Sequence, residues 1–220
     1  MLHKTRGIVF RFTKYGESSI IVSIFTELFG IQSYIVNGVR SKSGKNKIAL
    51  YQPLTLLDLV VYHRANANIN RIKEVKCLYP FQRIHADIRK SGIAMFIIEV
   101  INKTVKEESH AQELSDFFVQ SFITLDQMEN SENFHLIFLL KLSRFLGFGA
   151  HHVNDVLGIR VTSEENEKII KQLLTADYLE TVSMQNHQRR EIIDLIMKFY
   201  NDHMDNLGDM KSIYVLREIL

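Results

Sequence analysis

Lysine and arginine carry most of the chemistry available to the first third of this chain. In VNGVRSKSGKNK, Val36 to Lys47, the residues Arg40, Lys42, Lys45 and Lys47 put four positive charges into eight positions with no acid among them. A glycine-punctuated segment of that charge suits phosphate groups, a contact that needs reach and charge but reads no base. Lys4, Arg6, Arg11, Lys14, Arg64, Arg71, Lys73 and Lys76 add to it, and Tyr15, Tyr34, Tyr51, Tyr62 and His63 lie close to these cations in sequence. A positive groove with aromatic rings for stacking is how single-stranded nucleic acid is held. Any one of the tyrosines could equally plug a small barrel with its hydroxyl outward; together with the cations they favour binding.

The chemistry of catalysis is missing. There is no GxSxG, no phosphate-cradling glycine loop, no HExxH and no GxGxxG. His151 and His152 are adjacent, so their side chains diverge, and a metal set completed by His187 and Asp155 is a poor rival to a solvated loop. Cys77 is the sole cysteine, which excludes an internal disulfide and a CxxC zinc site. It reads as an inert, half-buried residue of a strand. Glu107-Glu108 and Glu164-Glu165 read as solvated helix-end acids. A metal-dependent nuclease would need clustered acids in the basic half, and they are absent. The reading is of a protein that is no enzyme and carries no cofactor and no metal.

Charge is divided along the chain. Residues 1–80 hold twelve Lys/Arg against four Asp/Glu, a net charge of +8, and residues 81–220 hold fifteen against twenty-one, a net charge of −6. Such asymmetry points to a polyanion partner for the first half. The start, MLHKTRGIVF, lacks the apolar core of a signal peptide, and the apolar run Phe134–Leu142 is too short to span a bilayer. The expectation is a cytoplasmic protein with no membrane partner.

The elements that must position these residues change character at Pro80. Before it, Gly7–Phe12, Ser19–Thr26, Gln32–Val36, Leu54–Tyr62 and Ile69–Leu78 read as five strands, rich in β-branched and aromatic residues and separated by turn residues. Five short strands in about eighty residues fit a small closed barrel of the OB type. An SH3-like barrel has similar counts, and the long basic connection between the third and fourth strands favours the former. After Pro80 the apolar residues recur at helical spacing: Ile93, Phe96, Ile97, Val100 and Ile101, then Leu114, Phe117, Phe118, Leu125 and Met128. Phe134–Phe148 is apolar nearly all round, as in a helix at the centre of a bundle. Ser163–Leu174, Gln188–His203 and Ser212–Leu220 complete the pattern. The fold class expected is α+β in two domains, an OB-fold DNA-binding barrel over 1–80 and an all-α, partner-binding helical domain over 81–220.

GIVFRFTKYGESSIIVSIFTELFGIQSYIVNGVR resembles the start of the RecO family of bacterial recombination mediators, with its G-I-V, Y-G-E, I-V, F-T and glycine before a basic cluster. YQPLTLLDLVVY and INRIKEVK resemble the family's fourth and fifth strands. NHQRREIIDLIMKFYNDHMDNLGDMKSIYVLREIL resembles its terminal helices, including a K-S-x-x-V-L ending at Lys211, Ser212, Val215 and Leu216. The resemblance implies a DNA repair protein of the bacterial cytoplasm and nucleoid that binds single- and double-stranded DNA without sequence specificity. It implies annealing of complementary strands, help in loading recombinase, and contacts with RecR and with the acidic tail of single-stranded DNA-binding protein. Many members carry a four-cysteine zinc site after the segment that reads LKLSRFLGFG here; this chain continues AHHVNDVLGIR with no cysteine, which implies a zinc-free subgroup.

The DNA-binding residues expected are Arg6, Lys14, Arg40, Lys42, Lys45, Lys47, Arg64, Arg71 and Lys73. For the partner tail, an apolar pocket rimmed by cations is needed. Lys141 and Arg144, three apart on one helix face, with Phe145, Leu146 and Phe148 beside them, supply such a set, although the two cations could as well pair with neighbouring acids. The alternative from another class is a protein-interaction scaffold whose basic barrel docks an acidic protein.

Overall fold

The computed structural model describes residues 1–40, 45–64, 67–105, 111–205 and 207–220, with the side chains at 45 and 46 left out. One long strand makes the barrel. β1 (Leu2–Tyr15) pairs antiparallel through residues 2–8 with β4 (Leu56–Tyr62) and through residues 7–15 with β2 (Ser19–Thr26). β3 (Gly30–Val36) follows β2, and β5 (Asn70–Tyr79) follows β4, so that the closed order is β1-β2-β3-β5-β4. This is the OB-fold barrel that the strand count and the long third connection favoured.

Two local features let β1 serve two neighbours. A register shift between Val9 and Arg11 marks a bulge at Phe10, which bends the strand. Gly7 lies where both ladders meet. A Cβ there would stand 2.6 Å from Ile24 Cγ2 and 2.9 Å from Leu59 Cδ1, inside the barrel's apolar filling. The apolar run Gly7–Phe12 therefore marks only the enclosed middle of a 14-residue strand, whose ends alternate exposed and half-buried.

Val9, Ile20, Val22, Ile24, Tyr34, Leu57, Leu59 and Val61 fill the barrel. Val39 and Tyr51, from the link between β3 and β4, complete this core. The link is thus anchored at both ends, through Val39 and through the short helix α1 (Lys45–Ile48) with the 3-10 turn Ala49–Tyr51. β4 starts at Leu56 rather than Leu54 because Leu54 sits at φ 74°, outside extended geometry.

The chain divides into two compact units, Met1–Gln82 with Lys106–Ile123, and Arg83–Val105 with Thr124–Leu220. Helix α3 (Ala111–Gln127) accordingly gives most of its length to the barrel unit. There Phe118 meets Phe25 edge-on at 5.3 Å, and Phe25 stacks on Phe10 at 5.8 Å.

The second unit contains α2 (Ile88–Thr104), α4 (Phe134–Phe145), α5 (Val153–Leu157), α6 (Glu164–Thr175), α7 (Asn186–His203) and α8 (Lys211–Ile219). α4 is its centre: Phe134 to Leu140, Leu142 and Ser143 are all buried. The Tyr200 hydroxyl donates to the Leu139 carbonyl at 2.6 Å. Lys90, 2% exposed, donates to the carbonyls of Asp126 and Met128 at 2.9 and 2.5 Å. A buried ammonium at a helix C-terminus satisfies carbonyls that the helix cannot. α5 carries too few residues for a periodic signal and was not legible in the sequence.

Candidate nucleic-acid interface

Cross-strand register assembles the exposed cations of the barrel. Tyr62 of β4 stands opposite Arg71 of β5, Arg71 opposite Ile35 of β3, Ile35 opposite Ile21 of β2, and Ile21 opposite Thr13 of β1. Residues paired across strands share a face. Val61, Tyr34 and Val22, one position along, belong to the core, so this row lies on the outside. A second outer row runs from Arg11 through Ser23 to Ser33. The outer face of β2 and β3 is therefore a strip of partly exposed Ile and Ser side chains with Arg71 on one flank and Arg11 on the other.

Two loops border this strip. At the β4–β5 end, the buried Asn70 accepts from the Arg64 backbone N–H at 3.1 Å and donates to Gln32 at 3.3 Å, which fixes where the loop leaves β4. Arg64 and Arg71, with Met1, Tyr62, Ala67, Ile69 and Asn70, line a groove of about 730 Å³. Tyr62 is 49% exposed there, an open ring in the same lining as the two arginines. At the β1–β2 end, Arg40 donates from its backbone N–H to the Ser18 carbonyl at 2.9 Å and from Nη1 to the Gly16 carbonyl at 3.0 Å. The turn that follows the 53% exposed Tyr15 thus holds Arg40, and Lys14, exposed at the end of β1, stands opposite Ile20.

The remaining candidates lie elsewhere. Arg6 is committed to the fold: it grips Glu27 through two bonds of 2.9 and 2.8 Å and reaches Asp116 at 2.6 Å. The hydrogen bonds from Arg6 hold the Glu27 carboxyl below its usual range. Lys73 is exposed, 3.8 Å from Glu74, off the strip. Lys47 is exposed on α1; Lys42 and the Lys45 side chain lie outside the described residues. Among the aromatic candidates only Tyr15 and Tyr62 are open. Tyr34 and Tyr51 are core residues, with burial pushing the Tyr51 hydroxyl up to about 12. His63 stacks on Phe29 at 3.8 Å. Cys77 is exposed rather than half-buried, because β5 is uncovered along that stretch.

In the helical unit, Lys141 and Arg144 do share a face of α4, and both point at the C-terminal end of α6. Lys141 pairs with Asp177 at 2.7 Å and lies 4.8 Å from the Tyr178 ring centre; Arg144 donates to the Leu174 carbonyl at 2.8 Å. Phe148 stacks on His203 at 5.1 Å, and Phe145 is 38% exposed. Asp155 spends its carboxylate on the backbone N–H groups of His151 and His152, at 2.9 and 2.8 Å. Among the described residues no group of three or more His, Cys, Asp or Glu side chains could hold a metal ion, and no helix is long and apolar enough to cross a membrane.

Register was what sequence reading lacked. Ile21, Ile35, Ser23 and Ser33 belong to the strip, yet only alternation in β2 and β3 hinted at them, and without pairing it cannot say which parity faces out.

A closed OB barrel whose β2–β3 face is bordered by two basic loops, joined to an α-helical unit, defines a class of two-part proteins with an oligonucleotide-type binding barrel. Residues 1–81 match the family model for the N-terminal part of recombination protein O, and residues 85–212 match the model for its C-terminal part. The chain is 34% identical to the DNA repair protein RecO of Bacteroides fragilis over 241 residues, covering 100% of this chain and 99% of the relative. It is 32% identical to that of Flavobacterium psychrophilum over 233 residues, 98% of each. This chain belongs to the RecO family.

Proposed function

We propose that this protein is a mediator of DNA repair and homologous recombination, one that binds single- and double-stranded DNA without sequence specificity. In this reading it anneals complementary strands and helps load recombinase onto DNA covered by single-stranded DNA-binding protein, in the bacterial cytoplasm and nucleoid, without catalysis. The observation that carries the reading is the strip itself: Arg64, Arg71 and the open Tyr62 at one border, Lys14, Tyr15 and the clasped Arg40 at the other. Cations hold phosphates, an exposed ring stacks on any base, and neither reads sequence. The names of the full-length relatives agree with it. RecR and the acidic tail of single-stranded DNA-binding protein are the protein partners proposed on family grounds. For the tail, the surface around Lys141, Arg144, Phe145 and Phe148 is favoured, where a carboxylate would compete with the Leu174 carbonyl and Asp177 for two cations.

The test is a salt titration of oligonucleotide binding by fluorescence anisotropy. Arg64→Ala with Arg71→Ala should weaken binding to any sequence and lower the slope of log K against log salt by roughly 0.7 per lost single-strand contact. Tyr62→Ala should cost about 1–3 kcal/mol while leaving the salt slope unchanged. Lys73→Ala, off the strip, should change little. Full affinity in the double arginine variant sinks this interface, and indifference of the intact protein to nucleic acid would favour the scaffold reading.

A further inference from the structure

The irregular chain between α6 and α7 leaves a row of backbone groups unused. From Thr181 to Gln185 it is neither helix nor turn. Val182 is buried, Thr181 and Ser183 are exposed, and Gln185 enters α7 in extended geometry, at φ −86° and ψ 162°. Asn133, at the start of α4, fastens the segment by donating from Nδ2 to the Val182 carbonyl at 2.7 Å. The backbone N–H groups of Thr181, Val182, Ser183 and Met184 have no hydrogen-bond partner among the described residues. A segment with alternate side chains buried and its N–H groups free is a template for another strand.

The same segment is one wall of a groove of about 440 Å³ within the helical unit. The floor is apolar: Met128, Phe134, Ile137 and Val182 line it, each at most 8% exposed. Leu179, on the rim, is 77% exposed. The charges of the lining are matched except for two. Arg189 is buried and engaged by Asn133, Asn186 and Glu132, at 3.0, 2.7 and 3.1 Å. Glu132 takes Arg89 as well, at 2.8 Å. Glu129 and Glu180 remain, both exposed and without a cation beside them among the described residues. A carboxylate ligand would meet a guanidinium already engaged, whereas a lysine or arginine would meet two unmatched carboxylates.

We propose that this groove docks an extended segment of a partner protein in which apolar and basic residues alternate, added as a strand beside Thr181–Met184. Its main chain pairs with the free N–H groups, its apolar side chains enter the floor, and its lysines or arginines, on the other face, meet Glu129 and Glu180 at the rim. Residues 81–220 carry a net charge of −6, which steers a basic segment toward this unit. The tail favoured for Lys141 and Arg144 is of opposite charge, so the two surfaces take different partners.

The probe is a fluorescent, end-capped peptide of alternating valine and lysine, titrated with the full chain and followed by anisotropy. Binding should saturate and should weaken as salt rises. Glu129→Lys combined with Glu180→Lys should weaken it roughly a hundredfold, because each attraction becomes a repulsion. Glu164→Lys combined with Glu218→Lys makes the same change of charge at exposed positions outside the groove lining and should alter binding little. A second measurement locates the docking: hydrogen exchange of the wild type with saturating peptide should slow at the amides of Thr181 to Met184. All four glutamates are exposed, so folding of the variants is checked by circular dichroism. No binding by the wild type, full affinity in the groove variant, an equal loss in the control variant, or unslowed exchange from Thr181 to Met184 would each overturn the proposal.

Discussion

His135 sits in the first turn of α4, 1% exposed, with Nδ1 lacking a hydrogen-bond partner and the ring edge-on to Phe96 at 6.3 Å. Burial, helped by repulsion from Arg189, pushes its pKa down to about 3. An unfolded chain binds that proton near pH 6.5, and the folded chain refuses it until far lower. The folded state therefore keeps its full share of stability above about pH 6.5. It loses that share as pH falls from there toward 3, by about 1.4 kcal/mol per pH unit from this group. His135→Leu should flatten the fall, seen as a smaller drop in urea midpoint between pH 7 and pH 5. An unaltered pH profile would show that His135 is reached by solvent. The same scale explains which aromatic candidates could not be sorted from sequence. Tyr34 and Tyr62 both sit in strand contexts rich in β-branched neighbours, and one fills the barrel while the other lies open. The difference is parity against a partner strand, which no local pattern contains.

At the scale of elements, α8 shows a terminus completed from outside. Its first turn has no acid, and the residue before it, Met210, offers no capping side chain. Glu99 of α2 does the work: its carboxylate accepts from the backbone N–H of Lys211 at 3.2 Å, from that of Ser212 at 2.8 Å and from the Ser212 hydroxyl. Burial opposes ionisation of Glu99, yet these bonds and Lys103 outweigh it and hold the carboxyl below its usual range. The contribution is present above the ordinary Glu range and is lost as pH falls through the lowered value. Glu99→Gln should cost about 1 kcal/mol, as a lost N-cap does, and should speed amide exchange in α8 before any other helix of that unit. Unchanged exchange in α8 would mean that packing of Ile219 over Gly92 suffices. The sequence exhibits α8 through Ile213, Leu216 and Ile219, but a cap lent by a helix more than a hundred residues earlier leaves no local mark. The boundaries of β2 were legible because turn residues flank it; those of β1 were not, since its paired ends are exposed and polar.

At the scale of the whole chain, the charge asymmetry and the change of period at Pro80 were plain in the sequence, and strands do give way to helices after Tyr79. What composition could not convey is that residues 111–123, helical like those after them, pack with the barrel. Phe118 serves Phe25 there, and an apolar helix face does not name its partner. The segment where zinc is implied for many RecO proteins here forms α5, with Asp155 engaged by backbone N–H groups and no cysteine nearby. Prolonged treatment with a strong chelator should leave both the melting temperature and oligonucleotide affinity where they were. Zinc retained in stoichiometric amount through dialysis, with a lower melting temperature after its removal, would refute this.

The double pairing of β1 also dictates an order of assembly. β1 and β2 are joined by a turn of three residues, Gly16 to Ser18, so their ladder forms across a very short loop. The other ladder ties Leu2 to Tyr62 and must close a loop of some sixty residues, at a far greater entropic cost before any contact rewards it. On a ribosome the hairpin emerges and folds while β4 is still unmade, and the edge from Leu2 to Gly7 waits without a neighbour. β1 thus waits for its second neighbour until β4 is made, and β5, which lies between β3 and β4, completes the ring.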